Sequence, residues 1–327
     1  MSAHASFDQQ PGWRTPFRRI EWVLDRSDAG QSASGAWVRA VLGLLFAGYG
    51  IALLAMEAAH DDLTPLPLFF LIFAAPMFTN RLGRFGRYFL PVFAGLVAYG
   101  AAANYAARFK LHVHYTQQID VDRLLAGGSE VPTAWLQHHL YHGHTGPLEA
   151  IAVGAYAGHF LVPLALGLGL VLIGRTRTFN LLTFSVLIAA MAAMVVFILM
   201  PTAPPWLAAQ HGYVDGVHHI LKRALFDLHM SSLGAVEGDP TKYDVTAAVP
   251  SLHTTFPCLC LLAARHARLP RWVIGLLALN LLAVVFSIVY TGEHYVVDAI
   301  AGALLALGAW TLVQRLESRA ERRWAGA

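Results

Sequence analysis

The stretch Tyr290-Thr-Gly-Glu-His-Tyr-Val-Val-Asp298 lies where one apolar run ends and the last one begins. His294 and Asp298 are four apart, and residues four apart share one face of a helix. A carboxylate one turn from an imidazole can accept its Nδ1–H, fix the tautomer and leave Nε2 free to attack. Further back, Pro250-Ser-Leu-His253 sets a second histidine at the start of another apolar run. Two imidazoles and an acid at the ends of apolar segments point to phosphoryl transfer, provided the fold joins them.

The 327-residue chain is 56% hydrophobic and 13% charged, with positive mean hydropathy. Soluble domains carry about 25% charged residues. The composition therefore specifies an integral membrane protein, and its long apolar runs make the expected fold all-α. A net charge of +3, with no basic stripe among aromatics, argues against a nucleic-acid partner. Cys258 and Cys260, two apart in an apolar run, point to different sides of a helix and read as core. The polar start of the chain does not fit a cleaved signal peptide.

Runs of roughly 17–25 mostly apolar residues predict eight spans. They cover 40–56, 63–78, 88–105, 150–173, 181–200, 250–265, 272–290 and 295–313. The segment 106–148 is too polar to span. Within it, 132–141 has proline near its start and an amphipathic, aromatic pattern, which predicts a helix lying at the interface. The expected division is a tail at 1–36, N-terminal spans with the interfacial segment at 37–148, a catalytic core at 149–314, and a tail at 315–327.

Arginines set the orientation. Arg81, Arg84 and Arg87, then Arg175 and Arg177, then Arg265, Arg268 and Arg271 fill alternate loops without an acid among them. Asp61, Asp62 and the two long mixed segments fill the others. The positive-inside rule then puts both termini in the cytoplasm of a multi-pass cell-membrane protein. The spans beginning near 250 and 295 start outside, so His253, His294 and Asp298 meet at the external leaflet. Helix N-termini there carry unpaired N–H groups and a partial positive charge, which suits a phosphate. Ser251 adds a hydroxyl donor or a helix cap. An aspartate at membrane depth is costly and marks function.

Pro250-Ser-Leu-His253 and His294-x-x-x-Asp298 resemble two signature motifs of the type 2 phosphatidic acid phosphatase superfamily. With Pro201-Thr-Ala-Pro-Pro-Trp206, the stretch 290–298 is similar to the inositol phosphorylceramide synthase branch. The resemblance is strongest over 150–312. It implies a core like the family's six-helix bundle, a phosphohistidine on His294 oriented by Asp298, and His253 as the acid and base. Two features depart from the phosphatase pattern. The lysine and Arg-Pro motif is absent before Pro201, and Ile288 stands where an arginine often precedes the nucleophile. Charge must then come from other groups, for which Lys222, Arg223, Lys242 and His159 are candidates. Tyr290 is a further candidate at the substrate.

The resemblance implies head-group transfer on a phospholipid or polyprenyl phosphate, without metal or cofactor. Plain lipid phosphate hydrolysis uses the same triad. A proton-coupled lipid carrier is the rival of another class, against which stand the lack of an inverted repeat and the clustering of titratable groups at one face. His138, His139, His142 and His144 are irregularly spaced and read as solvated, not metal-bound. Asp120, Asp122 and Arg123 read as surface charges, Glu293 as exposed, 201–206 as a rigid collar, and Trp135 and Trp206 as aromatic-belt residues.

Overall fold

The computed structural model describes residues 33–59, 112–128, 130–239 and 244–325. Among the described residues the chain is helical, with isolated β-bridges and no strand. The helices are α1 (Ala33–Ala59), α2 (Gln117–Leu125), α3 (Pro132–Leu140), α4 (Pro147–Leu172), α5 (Thr176–Leu199) and α6 (Pro205–Gln210). They continue with α7 (Ile220–Asp227), α8 (Ser231–Val236), α9 (Leu252–His266), α10 (Arg271–Tyr290) and α11 (Val296–Ala325).

Four of them, α4, α5, α10 and α11 as far as Arg319, are long and apolar enough to cross a membrane. They coincide with the fourth, fifth, seventh and eighth expected spans. The first expected span falls within α1, and those at 63–78 and 88–105 lie outside the described residues. The sixth is α9, of 15 residues. At about 1.5 Å per residue it is roughly 22 Å long, less than a hydrocarbon core of about 30 Å. The helix expected at 132–141 is present as α3. Helix α11 does not stop at the expected tail boundary but runs on to Ala325.

The bundle is built around α9, which packs against α4, α5, α10 and α11. Leu259 and Ala263 of α9, Phe179 and Leu182 of α5, and Ala306 and Trp310 of α11 form the main buried cluster. Small residues let α9 and α11 approach closely. A Cβ on Gly302 would lie 2.3 Å from the Ser251 carbonyl oxygen, so no larger residue fits there. Thr255 Oγ1 sits 2.8 Å from the Ser251 carbonyl and 2.9 Å from that of Gly302, locking the crossing. The outward side chains Phe160, Leu276, Leu279, Leu282 and Leu304 are exposed, as a lipid-facing surface requires. At the far end Arg177 grips Glu317 with two nitrogens, the shorter contact being 3.0 Å.

A polar layer caps the other end. His114, Thr202 and Ala247 pair as parallel β-bridges. His114 N–H donates to Pro201 (2.9 Å), and Thr202 N–H to Thr246 (2.7 Å). The collar expected at 201–206 is thus stitched to both long polar segments. Two prolines in succession then start α6, where a missing N–H costs nothing. Trp206 N–H donates to Gly292 at 3.1 Å. Trp206 is 3% exposed, so it is a buried wedge and not a belt residue. Gln137 of α3 accepts His218 N–H (2.7 Å) and donates to the Tyr290 carbonyl (2.8 Å). Collar and α3 therefore both dock on the turn that carries His294.

Candidate active site

The turn between α10 and α11 depends on one glycine. Gly292 has φ +90°, and a Cβ there would meet the His218 carbonyl at 2.8 Å. That backbone is open to glycine at little cost. Glu293 and His294 N–H groups both donate to Ile288 O, at 2.9 and 3.0 Å, closing the end of α10. The chain then enters α11. Alongside, Ser251 N–H donates to the Asp298 carbonyl at 3.1 Å, which sets α9's first turn beside that of α11. His253 follows in that turn. The Ser251 hydroxyl accepts Thr254 N–H at 3.4 Å, so it serves as the helix cap.

The two imidazoles meet. His253 Nδ1 is 2.9 Å from His294 Nε2, with ring centroids 5.0 Å apart. Asp298 Oδ2 lies 3.4 Å from His294 Nδ1, on the ring's opposite side. That is longer than an ordinary N–H···O bond of about 2.7–3.2 Å. The same oxygen accepts Tyr295 N–H at 2.9 Å. The aspartate therefore braces the start of α11 first and stands behind the imidazole second. With the His294 proton on Nδ1, facing the acid, Nε2 is the acceptor and His253 Nδ1 the donor. Burial pulls the His294 imidazole down to about 4, while the Ala248 backbone acts the other way. The ring is neutral near pH 7, as a nucleophile must be.

A third imidazole backs the pair. His159 of α4 is 2% exposed, with Nδ1 against the Tyr156 carbonyl and its ring edge-on to His253, centroids 4.1 Å apart. It touches His253. The expected cations fare differently. Arg223 is exposed beside Asp227 at 3.7 Å, and Lys222, half-buried on α7, acts electrostatically on His219. Lys242 lies outside the described residues. Tyr290, expected at the substrate, is instead fully buried and donates its hydroxyl to Glu149, which also accepts Gly146 N–H (2.8 Å) at the start of α4. Ile288 is core, packed with Val284, Val289 and Ala299.

Two features escaped the sequence. Asp122 is fully buried, not a surface charge. Its oxygens accept Val296 N–H (2.9 Å) and Val297 N–H (2.8 Å), capping α11 from another part of the chain. Burial raises its pKa to about 6, with those two amides acting the other way. No spacing signals such a contact, because its partners are backbone groups 174 and 175 residues away. Glu293 is also buried, at 8% exposure, and its Oε1 lies 2.9 Å from His219 Nε2. Burial raises it to about 8, with the Trp206 and Glu237 side chains acting the other way. His219 stacks on Trp206, centroids 4.3 Å apart and planes within 4°.

Fold and site define an all-α polytopic membrane protein with paired histidines where two neighbouring helices begin. The PAP2 superfamily model matches residues 119–312, more than half of the chain, and the chain belongs to that superfamily. It is similar to a phosphoinositol dihydroceramide synthase of Bacteroides thetaiotaomicron, 25% identical over 154 residues, which are 46% of this chain and 50% of the relative. The chain thus spans about half the length of that curated relative. No solved structure matches it significantly.

Proposed function

We propose that this protein is a membrane phosphotransferase that moves a phosphoryl-linked head group from one lipid to another through a covalent intermediate on His294. The observation that carries the reading is the facing pair, His253 Nδ1 and His294 Nε2, with Asp298 behind the second ring. Nε2 attacks phosphorus, an N–P bond forms, and the P–O bond to the donor lipid breaks on the opposite side. His253 lies across from the nucleophile; as the imidazolium formed when the anionic phosphate enters, it gives the leaving alkoxide its proton and becomes neutral. It then takes a proton from the acceptor hydroxyl, whose oxygen attacks phosphorus and releases His294. A phosphoryl centre must sit between the two nitrogens, so their 2.9 Å contact opens by several ångström when substrate enters.

Until then the N–H···N contact occupies the Nε2 lone pair of His294. The first N–H groups of α11 are already taken by Asp298 and Asp122, so backbone donors to the phosphate oxygens come from the start of α9. The site belongs at the external leaflet, given the arginine distribution of the loops.

Head-group transfer is favoured over plain hydrolysis by the buried, apolar Ile288 and by the likeness to a protein named as a phosphoinositol dihydroceramide synthase. Phosphatidic acid or polyprenyl phosphate hydrolysis by the same residues is the second reading. Purified protein given an inositol phospholipid with and without a ceramide acceptor tests this. Product formation that needs the acceptor supports transfer; free phosphate or free head group, unaffected by acceptor, supports hydrolysis. Retention of full turnover by His294→Ala would remove both readings.

A further inference from the structure

The collar and the Glu293 turn build a second cluster beside the nucleophile. His219 Nε2 is 2.9 Å from Glu293 Oε1 and 3.9 Å from Glu237 Oε1, and one donor atom from each residue falls within 4.8 Å of the others. All three side chains are largely shielded, at 11%, 13% and 8% exposure for His219, Glu237 and Glu293. His219 Nε2 and Glu293 Oε1 face each other but make no hydrogen bond of acceptable geometry. Both atoms are shielded from solvent. Donor atoms about 2.0–2.2 Å from a common ion lie roughly 3–3.5 Å from each other, so the spacing needs little adjustment.

We propose that His219, Glu237 and Glu293 bind one divalent transition-metal ion of the Zn²⁺ or Mn²⁺ class. One imidazole nitrogen and two carboxylate oxygens suit such an ion and leave positions for water or a ligand oxygen. Two carboxyl groups at close range do not both ionise unaided, and a cation between them lets them do so. The surroundings are built to hold the donors still. Trp206 lies flat on the His219 ring. Ile220 N–H donates to Thr291 O at 3.2 Å, and Trp206 N–H to Gly292 O at 3.1 Å, so both walls are fixed to the turn that carries Glu293. This assigns the collar a role: its tryptophan orients a ligand, as outer-shell groups do at metal sites.

Metal binding stands independently of the reaction proposed above. The use of its charge rests on that reading: the ion sits on the residue preceding His294, in a chain with isoleucine where a phosphate-binding arginine often stands.

The test uses the full chain in detergent, stripped with chelator and titrated with Zn²⁺ and with Mn²⁺. Bound metal per chain is counted by mass spectrometry and affinity by calorimetry. One ion per chain is expected, retained in a His142→Ala/His144→Ala variant that removes the exposed histidines, and lost in Glu293→Gln and His219→Ala. Trp206→Leu is expected to weaken binding about 10- to 100-fold. X-ray absorption of the Zn²⁺-loaded wild type needs no variant, and a shell with a single imidazole is expected. Absence of a bound ion in the wild type overturns the proposal. A shell of two or more imidazoles, or binding that survives Glu293→Gln but not His142→Ala/His144→Ala, does the same. Neither outcome bears on whether His294 is the nucleophile.

Discussion

His253 Nδ1 and His294 Nε2 approach to 2.9 Å although they begin different helices 41 residues apart. The contact follows from a close α9–α11 crossing, made possible by Gly302 and held by Thr255 and by the Ser251 N–H bond to Asp298 O. Packing within the bundle thus places the two rings.

Gly302→Val tests that dependence. Its side chain would collide with the Ser251 carbonyl and force α9 away from α11. Overpacking of this kind costs about 1–3 kcal/mol. A lower melting temperature in detergent and loss of turnover are expected together, because separating the helices separates the histidines. Stability loss with turnover intact would mean that the crossing does not set the site.

Asp298→Asn separates bracing from charge. The asparagine can still accept Tyr295 N–H, so the helix start survives, but the carboxylate behind His294 is gone. A fall in turnover of roughly 10²–10⁴-fold, with melting temperature little changed, is expected. Equal losses in stability and activity would make the aspartate a structural cap only.

Asp122→Asn reports on the remote cap through pH. The Asp122 carboxyl is raised to about 6, against an unfolded value of about 3.9. The folded state therefore binds more protons between these values. Its contribution to stability is fully present below about pH 4 and is lost as pH rises through about 6. Melting in detergent from pH 4 to 7 should show that decline in the wild type and a shallower one in Asp122→Asn. The variant should also be less stable throughout, by about 0.5–2 kcal/mol, as for loss of a helix cap. Identical pH profiles would contradict the assignment.

Tyr290→Phe decides between the two roles considered for that residue. Its hydroxyl is committed to buried Glu149. Removing it leaves a buried carboxylate oxygen without that donor, at a cost of about 1–3 kcal/mol. Lower stability with unchanged KM is expected. A raised KM at unchanged stability would return Tyr290 to the substrate.

Membrane class, most helix positions and the three residues of the central site were legible because their signals are local. Apolar runs give spans, and His294-x-x-x-Asp298 is one helical turn. The sequence does not carry distances through the fold. Asp122 caps a helix in a distant part of the chain, and His219, Glu237 and Glu293 converge from three segments with no common spacing. Glu293 and Trp206 read as surface residues by type, yet the collar folds over both. Tyr290 stands in the right motif but faces Glu149, because a residue's direction depends on what α4 presents to it. The sixth expected span coincides with α9, a 15-residue helix packed on four neighbours.

The most direct measurement is mass spectrometry of the purified chain, quenched during turnover with an inositol phospholipid and digested. The account predicts a phosphoryl-linked adduct on the peptide containing His294, absent in His294→Ala, with an added mass that includes the head group if transfer is the reaction. Turnover without such an adduct and undiminished in His294→Ala, or an adduct on a different residue, would contradict it.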